Sequence, residues 1–174
     1  MGSVSHLLKR GLTSLVPLGP SAEDQAWALE HLLDAEQALW RRMSRTDRRH
    51  AAGVARRAAE ALGSQATRPV VAAALLHDVG KLEARFGVYL RTMATLSGKA
   101  VKHDPVIIDA WTRTTGVTRR VGLYLEHARL GGDLLAIAGS DPLTAAWARQ
   151  HHRPEDEWTV PPEIGRALQD ADDD

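Results

Sequence analysis

His77 and Asp78 stand side by side at the end of the apolar segment Val70 to Leu76. The segment is typical of a protein core, and helical spacing places Asp78 in the middle of its apolar stripe. A buried, ionised carboxylate without a partner costs on the order of several kcal/mol. Asp78 is therefore expected to be protonated, ion-paired or bound to a metal ion.

Further histidines and a late carboxylate lie at or beside the apolar stripes of four other predicted helices. They are His50, His127, His151, His152 and Asp172, with Asp170 as the alternative late carboxylate. A single histidine on an apolar face is more often a hydrogen-bonded core residue, and a lone His-Asp dipeptide arises readily by chance. Several imidazoles that converge with two carboxylates are instead typical of a transition-metal site inside a helical bundle. Metal binding is the interpretation we favour.

A second His-Asp dipeptide, His103-Asp104, shows how weak such a pair is by itself. It directly precedes Pro105, in a stretch whose composition is typical of a loop. No apolar segment leads into it. We interpret this pair as unrelated to the metal site.

The composition indicates one soluble domain. The chain has 174 residues and a formal net charge of zero, which gives no reason to expect a nucleic acid or an anionic membrane as partner. It has no cysteine, so histidines and carboxylates must supply the ligands of any metal. No signal peptide or membrane-spanning segment is recognisable, and we expect a cytoplasmic protein with a flexible leader at residues 1–20 and a folded domain at residues 21–174.

Helical periodicity runs through nearly the whole chain and predicts an all-α bundle of about seven to nine helices. Capping residues, glycines and prolines mark the expected boundaries. The predicted helices run from Ser21 to about Met43, from Asp47 to Gly63, from Val70 to about Arg85, as two short helices between Gly87 and Gly116, from about Thr118 with a break or junction at Gly131-Gly132, from Pro142 to about His152, and from Pro161 or Pro162 to the end.

The order His50, His77-Asp78, Asp172 resembles the HD-domain metal-dependent phosphohydrolase superfamily. The segments "RRHAAGVARRAAEALG" and "VVAAALLHDVGK" are similar to the family's first-histidine helix and to its most specific segment. The segments "LYLEHARLGGDLL" and "AAWARQHHRP" are similar to the binuclear subset, which adds a histidine with a glycine four residues later and then a His-His pair. The resemblance spans about residues 30–174 and implies a compact helical HD domain.

The resemblance also implies how the ligands are used. His50, His77, Asp78 and Asp172 would bind one divalent ion, and Asp78 would bridge to a second ion bound by His127, His151 and His152. Two ions (Mn²⁺, Fe²⁺, Zn²⁺ or Ni²⁺, with Mg²⁺ as an alternative) could share a bridging hydroxide that attacks a phosphate ester. Lys81 would stabilise charge on the phosphoryl oxygens; its alternative role is that of a surface lysine at a helix end.

The implied activity is hydrolysis of a phosphomonoester, a nucleotide or another phosphodiester. The text "HHRPEDEWTVPPE" lacks the Gly-Tyr-Pro segment of the cyclic-di-GMP phosphodiesterases, so that activity is not implied. Arg153 and Trp158 follow the His-His pair and are candidate substrate contacts. The alternatives are a di-iron oxygenase and a regulatory HD module without catalysis.

An arginine-rich stretch surrounds His50, between Arg41 and Arg57. It could form a basic rim that attracts a phosphorylated substrate. The alternative, which we favour, is a solvated helix face. The sequence leaves both interpretations open.

Overall fold

The predicted all-α fold is confirmed: a computed structural model describes residues 19–84, 88–101 and 103–173, and these contain helices and no strand. Most of the predicted leader, residues 1–18, lies outside the described part. The helices are α1 (Ala22–Glu30), α2 (Asp34–Arg42), α3 (Arg45–Leu62), α4 (Arg68–Leu76), α5 (Lys81–Ala84), α6 (Val88–Ala100), α7 (Pro105–Thr112), α8 (Gly116–Leu125), α9 (His127–Ile137), α10 (Pro142–Gln150) and α11 (Pro162–Asp173). Short 3-10 turns follow α3 and precede α11.

The described helices outnumber the seven to nine predicted, because some of the predicted long helices are divided. The first division separates α1 from α2. The backbone N–H of Leu33 donates to Glu36 Oε2 over 2.8 Å, and the same oxygen accepts from Arg68 Nη1 at 3.1 Å. Glu36 is fully buried. A partner on α4 therefore fixes this break, and local periodicity does not reveal such a partner.

The second division is the most important one for the site, since α4 ends at Leu76 and α5 begins only at Lys81. The predicted single helix from Val70 to about Arg85 is thus wrong. Between the two helices the backbone makes tight bonds three residues apart, such as Lys81 N to Asp78 O at 3.0 Å. His77 and Asp78 consequently lie on a turn.

The third difference concerns Gly131 and Gly132, where a break or junction was predicted. The helix boundary is at Glu126, and both glycines lie inside α9. A Cβ on Gly131 would be 3.1 Å from the backbone N of Gly80, and one on Gly132 would be 2.9 Å from the Ala145 carbonyl oxygen. The two glycines therefore allow close packing between elements.

Helix ends follow the capping rules with one correction. The Oγ of Ser44 accepts the N–H of Asp47 at 3.1 Å, so α3 begins at Arg45 instead of at the predicted Asp47 cap. Gly63 ends α3 with a φ of 53°, as predicted. Asp141 caps α10 through the N–H of Leu143 at 2.9 Å.

Helix α4 lies in the centre of the core, with all residues from Val70 to Leu76 buried. It packs between α3 and α10; α11 packs on α3, and α9 packs on α10. Helices α6 and α7 pack on α8 and form a smaller second group. Among the described residues, no helix combines the length and the apolar character that a membrane crossing requires.

Candidate metal centre

The fold brings all seven predicted ligand residues together at one end of the central helix. They come from five places in the chain: His50 on α3, His77 and Asp78 on the turn after α4, His127 at the start of α9, His151 and His152 directly after α10, and Asp172 in the last turn of α11. Leu168, one turn before Asp172, is fully buried. The apolar stripe of α11 thus directs Asp172 toward the other ligands, as its spacing predicted.

Three of the histidines are oriented in the same way. The Nδ1 of His77 donates to the Ala74 carbonyl at 2.9 Å, and the Nδ1 of His151 donates to the Ala148 carbonyl at 3.0 Å. His127 repeats the pattern with the Tyr124 carbonyl at 2.7 Å. A proton on Nδ1 leaves the lone pair on Nε2, which is the usual arrangement of a histidine that binds a metal.

The ligand atoms form two clusters. In the first, the ligand atoms of His50, His77 and Asp78 lie within 4.8 Å of one another, and in the second those of His127, His151 and His152 do so. Asp172 adjoins the first cluster: its Oδ1 is 2.8 Å from His50 Nε2 and 3.7 Å from His77 Nε2.

Asp78 belongs to the first cluster and also faces the second. Its Oδ2 is 3.5 Å from His77 Nε2, while its Oδ1 is 3.4 Å from His127 Nε2 and 3.8 Å from His151 Nε2. The residue is 5% exposed, as its place in the apolar stripe predicted. One carboxylate therefore faces both sets of imidazoles.

Lys81 directly contacts Asp78, because its ammonium donates to Asp78 Oδ2. The lysine side chain is only 18% exposed, so it is not a solvated lysine at a helix end. Burial by itself lowers the pKa of Lys81, but the charge of Asp78 outweighs burial and raises it. Lys81 is thus a buried cation inside the cluster of ligands.

The acidic groups of the centre stay ionised despite their burial. Burial raises the pKa of Asp78, but His77 and Lys81 together hold it well below its usual range. The pKa of Asp172 falls to about 2, since the hydrogen bond from His50 and the charge of His77 outweigh its burial. Two carboxylates therefore supply negative charge at neutral pH.

Two histidines of the second cluster, His151 and His152, remain neutral. Burial, followed by the neighbouring histidines, lowers the pKa of His151, and burial together with His127 lowers that of His152 to about 4. At His77 burial is opposed and outweighed by Asp78 and Asp172, which raise the pKa. Neutral imidazoles are the form that binds metal.

The residues fit divalent cations. The Nε2 atoms of His77 and His151 are buried and have no hydrogen-bond partner, although buried polar atoms are normally paired. The Nε2 atoms of His127 and His152 lie 3.2 Å apart. Because His127 donates through Nδ1, its Nε2 carries a lone pair that faces His152. A divalent cation would bind these nitrogen lone pairs and the nearby carboxylate oxygens, which otherwise face one another.

A cleft of about 730 Å³ opens beside the second cluster. Lys81, His127 and His152 line it, and so do Thr95, His103 and Leu125. Its rim carries Arg129, Arg149 and the predicted Arg153. The cleft is large enough for a ligand of nucleotide size.

Arg129 and Arg149 were not singled out from the sequence, although both line the cleft. Both guanidinium groups pair with Asp133, at 3.2 Å and 2.9 Å respectively. The sequence indicated the arginine-rich stretch between Arg41 and Arg57 as a candidate basic rim. Within it, Arg57 instead donates to the Ala171 carbonyl at 2.7 Å and so fastens α11 to α3. No local signal marks the cleft arginines, because they are spread over two helices.

Trp158 is not among the residues that line this cleft, and its interpretation as a substrate contact stays a prediction. Its ring packs edge-on against Trp147 at a centroid distance of 5.3 Å and also covers Gly165. Its Nε1 donates to the Arg153 carbonyl at 3.0 Å. Trp158 therefore positions the loop that carries Arg153.

The His103-Asp104 pair precedes α7, outside the metal-ligand clusters found among the described residues. Asp104 Oδ1 caps α7 by accepting from Val106 N at 2.8 Å. That role is structural. His103, in contrast, lines the cleft.

Comparison with known proteins yields one match. The family model described as "Cas3, HD domain" matches residues 20–166, which is most of the chain. Neither the curated proteins nor the solved structures gave a match. The matched range contains six of the seven predicted ligands and ends before Asp172.

Proposed function

The chain belongs to the Cas3 HD-domain family, and from this premise we propose that it is a metal-dependent phosphohydrolase that cleaves a phosphate ester in the cleft beside Lys81. The family indicates a hydrolase-like module whose domain binds divalent metal ions. One observation carries the proposal: Asp78 belongs to one ligand cluster and also faces the other, next to a buried lysine and an open cleft.

The proposed ligands divide into two sets that share Asp78. His50, His77, Asp78 and Asp172 would hold one cation, and Asp78, His127, His151 and His152 would hold a second. Divalent cations in such a pair of sites lower the pKa of bound water and polarise phosphoryl oxygens. The three buried histidines support this assignment, since carbonyl acceptors orient each of them through Nδ1.

Lys81 would act on the substrate, because a protonated amine is not a metal ligand. Its ammonium contacts Asp78 and also lines the cleft. A phosphoryl group bound at this end of the cleft would therefore meet a cation that is already desolvated, and such a cation offsets charge that builds up on phosphoryl oxygens. Arg153 at the rim would attract the anionic substrate.

A small phosphorylated molecule, such as a nucleotide, is the first candidate substrate, since the cleft has the volume for one. A nucleic-acid phosphodiester is the second. Zero net charge argued against a nucleic acid, but three arginines line the cleft. Both candidates require the same reaction at the same residues.

The test is a metal and substrate matrix. Protein stripped with a chelator and reloaded separately with Mn²⁺, Fe²⁺, Zn²⁺, Ni²⁺ or Mg²⁺ is assayed against p-nitrophenyl phosphate, bis(p-nitrophenyl) phosphate, nucleotides and a short single-stranded oligonucleotide. We expect metal-dependent release of phosphate or cleaved ester. Asp78→Asn should abolish it, and the matched variant Asp104→Asn should retain it within a small factor.

Other outcomes would identify the alternatives. Oxygen uptake by the iron form without phosphate release would favour a di-iron oxygenase. Metal binding without any turnover would favour a regulatory HD module. Equal losses in the two aspartate variants would mean that the metal centre has been assigned to the wrong His-Asp pair.

A further inference from the structure

His103 is the one non-glycine residue with a positive φ among the described residues, at 52°. This left-handed conformation is costly for a residue that has a Cβ, and it is retained where the surrounding structure or a function requires it. His103 follows the end of α6, and its backbone N–H donates to the Gly98 carbonyl five residues earlier, which is a common way for a helix to end in a left-handed residue. This helix end fixes the backbone position from which the imidazole projects.

Two neighbours hold His103 in place. Its backbone N–H donates to the Gly98 carbonyl on α6 at 2.9 Å. Its ring lies over Gly98 so closely that a Cβ there would be 3.0 Å from the Cε1 of His103. The same Cβ would lie 2.7 Å from Leu125, another residue of the cleft. Gly98 thus makes room for the imidazole against the cleft wall.

The position of His103 differs from that of the metal ligands. It comes from the loop between α6 and α7, whereas the predicted ligands come from α3, the turn after α4, the start of α9, the end of α10 and α11. It nevertheless lines the same cleft as Lys81 and His152. A cleft of about 730 Å³ has room for much more than a phosphate group.

We propose that His103 is a specificity-determining residue that binds the part of the substrate beyond the reacting phosphate. The imidazole donates a hydrogen bond to a polar atom of the organic group attached to the phosphate, and Leu125 provides an apolar surface beside it. This inference rests on the proposed function, since it takes Lys81 and the ligand clusters as the place of the phosphate.

The experiment measures binding, so that it does not depend on turnover. Two probes are titrated into metal-loaded protein by calorimetry: inorganic phosphate, and thymidine 5′-methylenephosphonate, whose carbon–phosphorus bond is not hydrolysed. His103→Ala should weaken phosphonate binding about tenfold, as expected for the loss of one hydrogen bond. The Kd for inorganic phosphate should stay within about twofold of the wild-type value.

Two further variants separate a binding role from a structural one. His103→Gly accepts the positive φ without strain, so its thermal midpoint should not fall while its phosphonate affinity does. Gly98→Ala should displace the imidazole and cause the same selective loss. His31→Ala, at the residue that caps the C-terminus of α1 and bonds to the Trp27 carbonyl, is the matched control and should leave both Kd values unchanged.

The outcomes distinguish this inference from the proposed function. If the wild type binds both probes and His103→Ala weakens neither, or weakens both equally, His103 does not select the organic group and the inference is wrong. If the metal-loaded wild type binds neither probe, the proposed function is wrong and the inference falls with it. Only a selective loss in His103→Ala, His103→Gly and Gly98→Ala supports it.

Discussion

Replacing Lys81 by methionine should change metal affinity and turnover in opposite directions. In the metal-free protein the Lys81 ammonium is the cation that contacts Asp78 Oδ2, and the Asp78 side chain is only 6% exposed. Lys81→Met keeps the length of the side chain and removes this charge. Asp78 is then left with imidazoles as its nearest partners.

The expected cost follows from the burial of the pair. Breaking a buried ion pair by removing one partner costs about 3–5 kcal/mol, and the 18% exposure of Lys81 favours the lower end. A loss of about 3 kcal/mol in a chain of this length lowers the thermal midpoint by roughly 6–12 °C. With cations bound to Asp78 the lysine is no longer the main partner of that carboxylate, and its removal should cost about 1 kcal/mol or less, the range of a weak ion pair.

The cost of removing Lys81 differs between the metal-free and the metal-loaded protein, and this difference equals the change in the free energy of metal binding. If removal of Lys81 costs about 2 kcal/mol less in the metal-loaded protein, the variant binds metal roughly 30-fold more tightly. Turnover should nevertheless fall about 100- to 1,000-fold, because a charge-stabilising group has been lost from the phosphoryl site. Lys81→Arg should recover only part of the turnover, since a planar guanidinium does not replace a compact ammonium.

The assay combines thermal unfolding with and without metal, a chelator-competition titration, and initial rates on a phosphate ester. Lys99→Met, at an exposed lysine near the end of α6, is the matched control and should change none of the three. Weaker metal binding in Lys81→Met would refute the reasoning, because Lys81 would then support the metal site instead of competing for Asp78. Wild-type turnover would remove Lys81 from the chemistry.

Three further changes test the architecture of the centre. Gly80→Ala should destabilise the fold by about 3 kcal/mol in denaturant unfolding and reduce metal content, because its Cβ would overlap the carbonyl of His127. The control Gly53→Ala should be neutral or stabilising, since its Cβ meets only the flexible end of a side chain. Asp172→Asn should weaken metal binding in a chelator titration, whereas Asp170→Asn, on the other side of α11, should not; the reverse result would select the alternative late ligand. Chelation of the native protein should lower the thermal midpoint. If the metal had been present at 100 times its Kd, its removal takes away about 2.7 kcal/mol of stabilisation.

Much of the candidate centre could be predicted because helical periodicity indicates which side chains lie on a buried face. Asp78 interrupts an apolar stripe, and Asp172 continues one that includes Leu168. Such positions face the core wherever the helix packs, so the predicted burial does not depend on the exact helix boundaries. His77 and Asp78 were expected on a helix and lie on a turn, yet both are buried.

The breaks in the helices could not be predicted, because their causes are distant in sequence. Glu36 fixes the start of α2 by accepting the N–H of Leu33 and by its ion pair with Arg68 on α4. The cleft wall is equally hidden from local patterns. His103 belongs to a dipeptide that the sequence analysis kept apart from the metal site, yet its place in the cleft depends on how α6 packs on α8.

The contact between Gly80 and α9 explains why the ligand turn and the second cluster depend on each other. A Cβ on Gly80 would be 2.6 Å from the backbone N of Gly131 and would overlap the His127 carbonyl. The turn that presents Asp78 is therefore pressed directly against the first turn of the helix that presents His127. Because this contact is between backbones, neither element can shift without moving the other. The 3.4 Å separation of Asp78 Oδ1 and His127 Nε2 is consequently set by main-chain packing, which suits a carboxylate that must face two clusters at once.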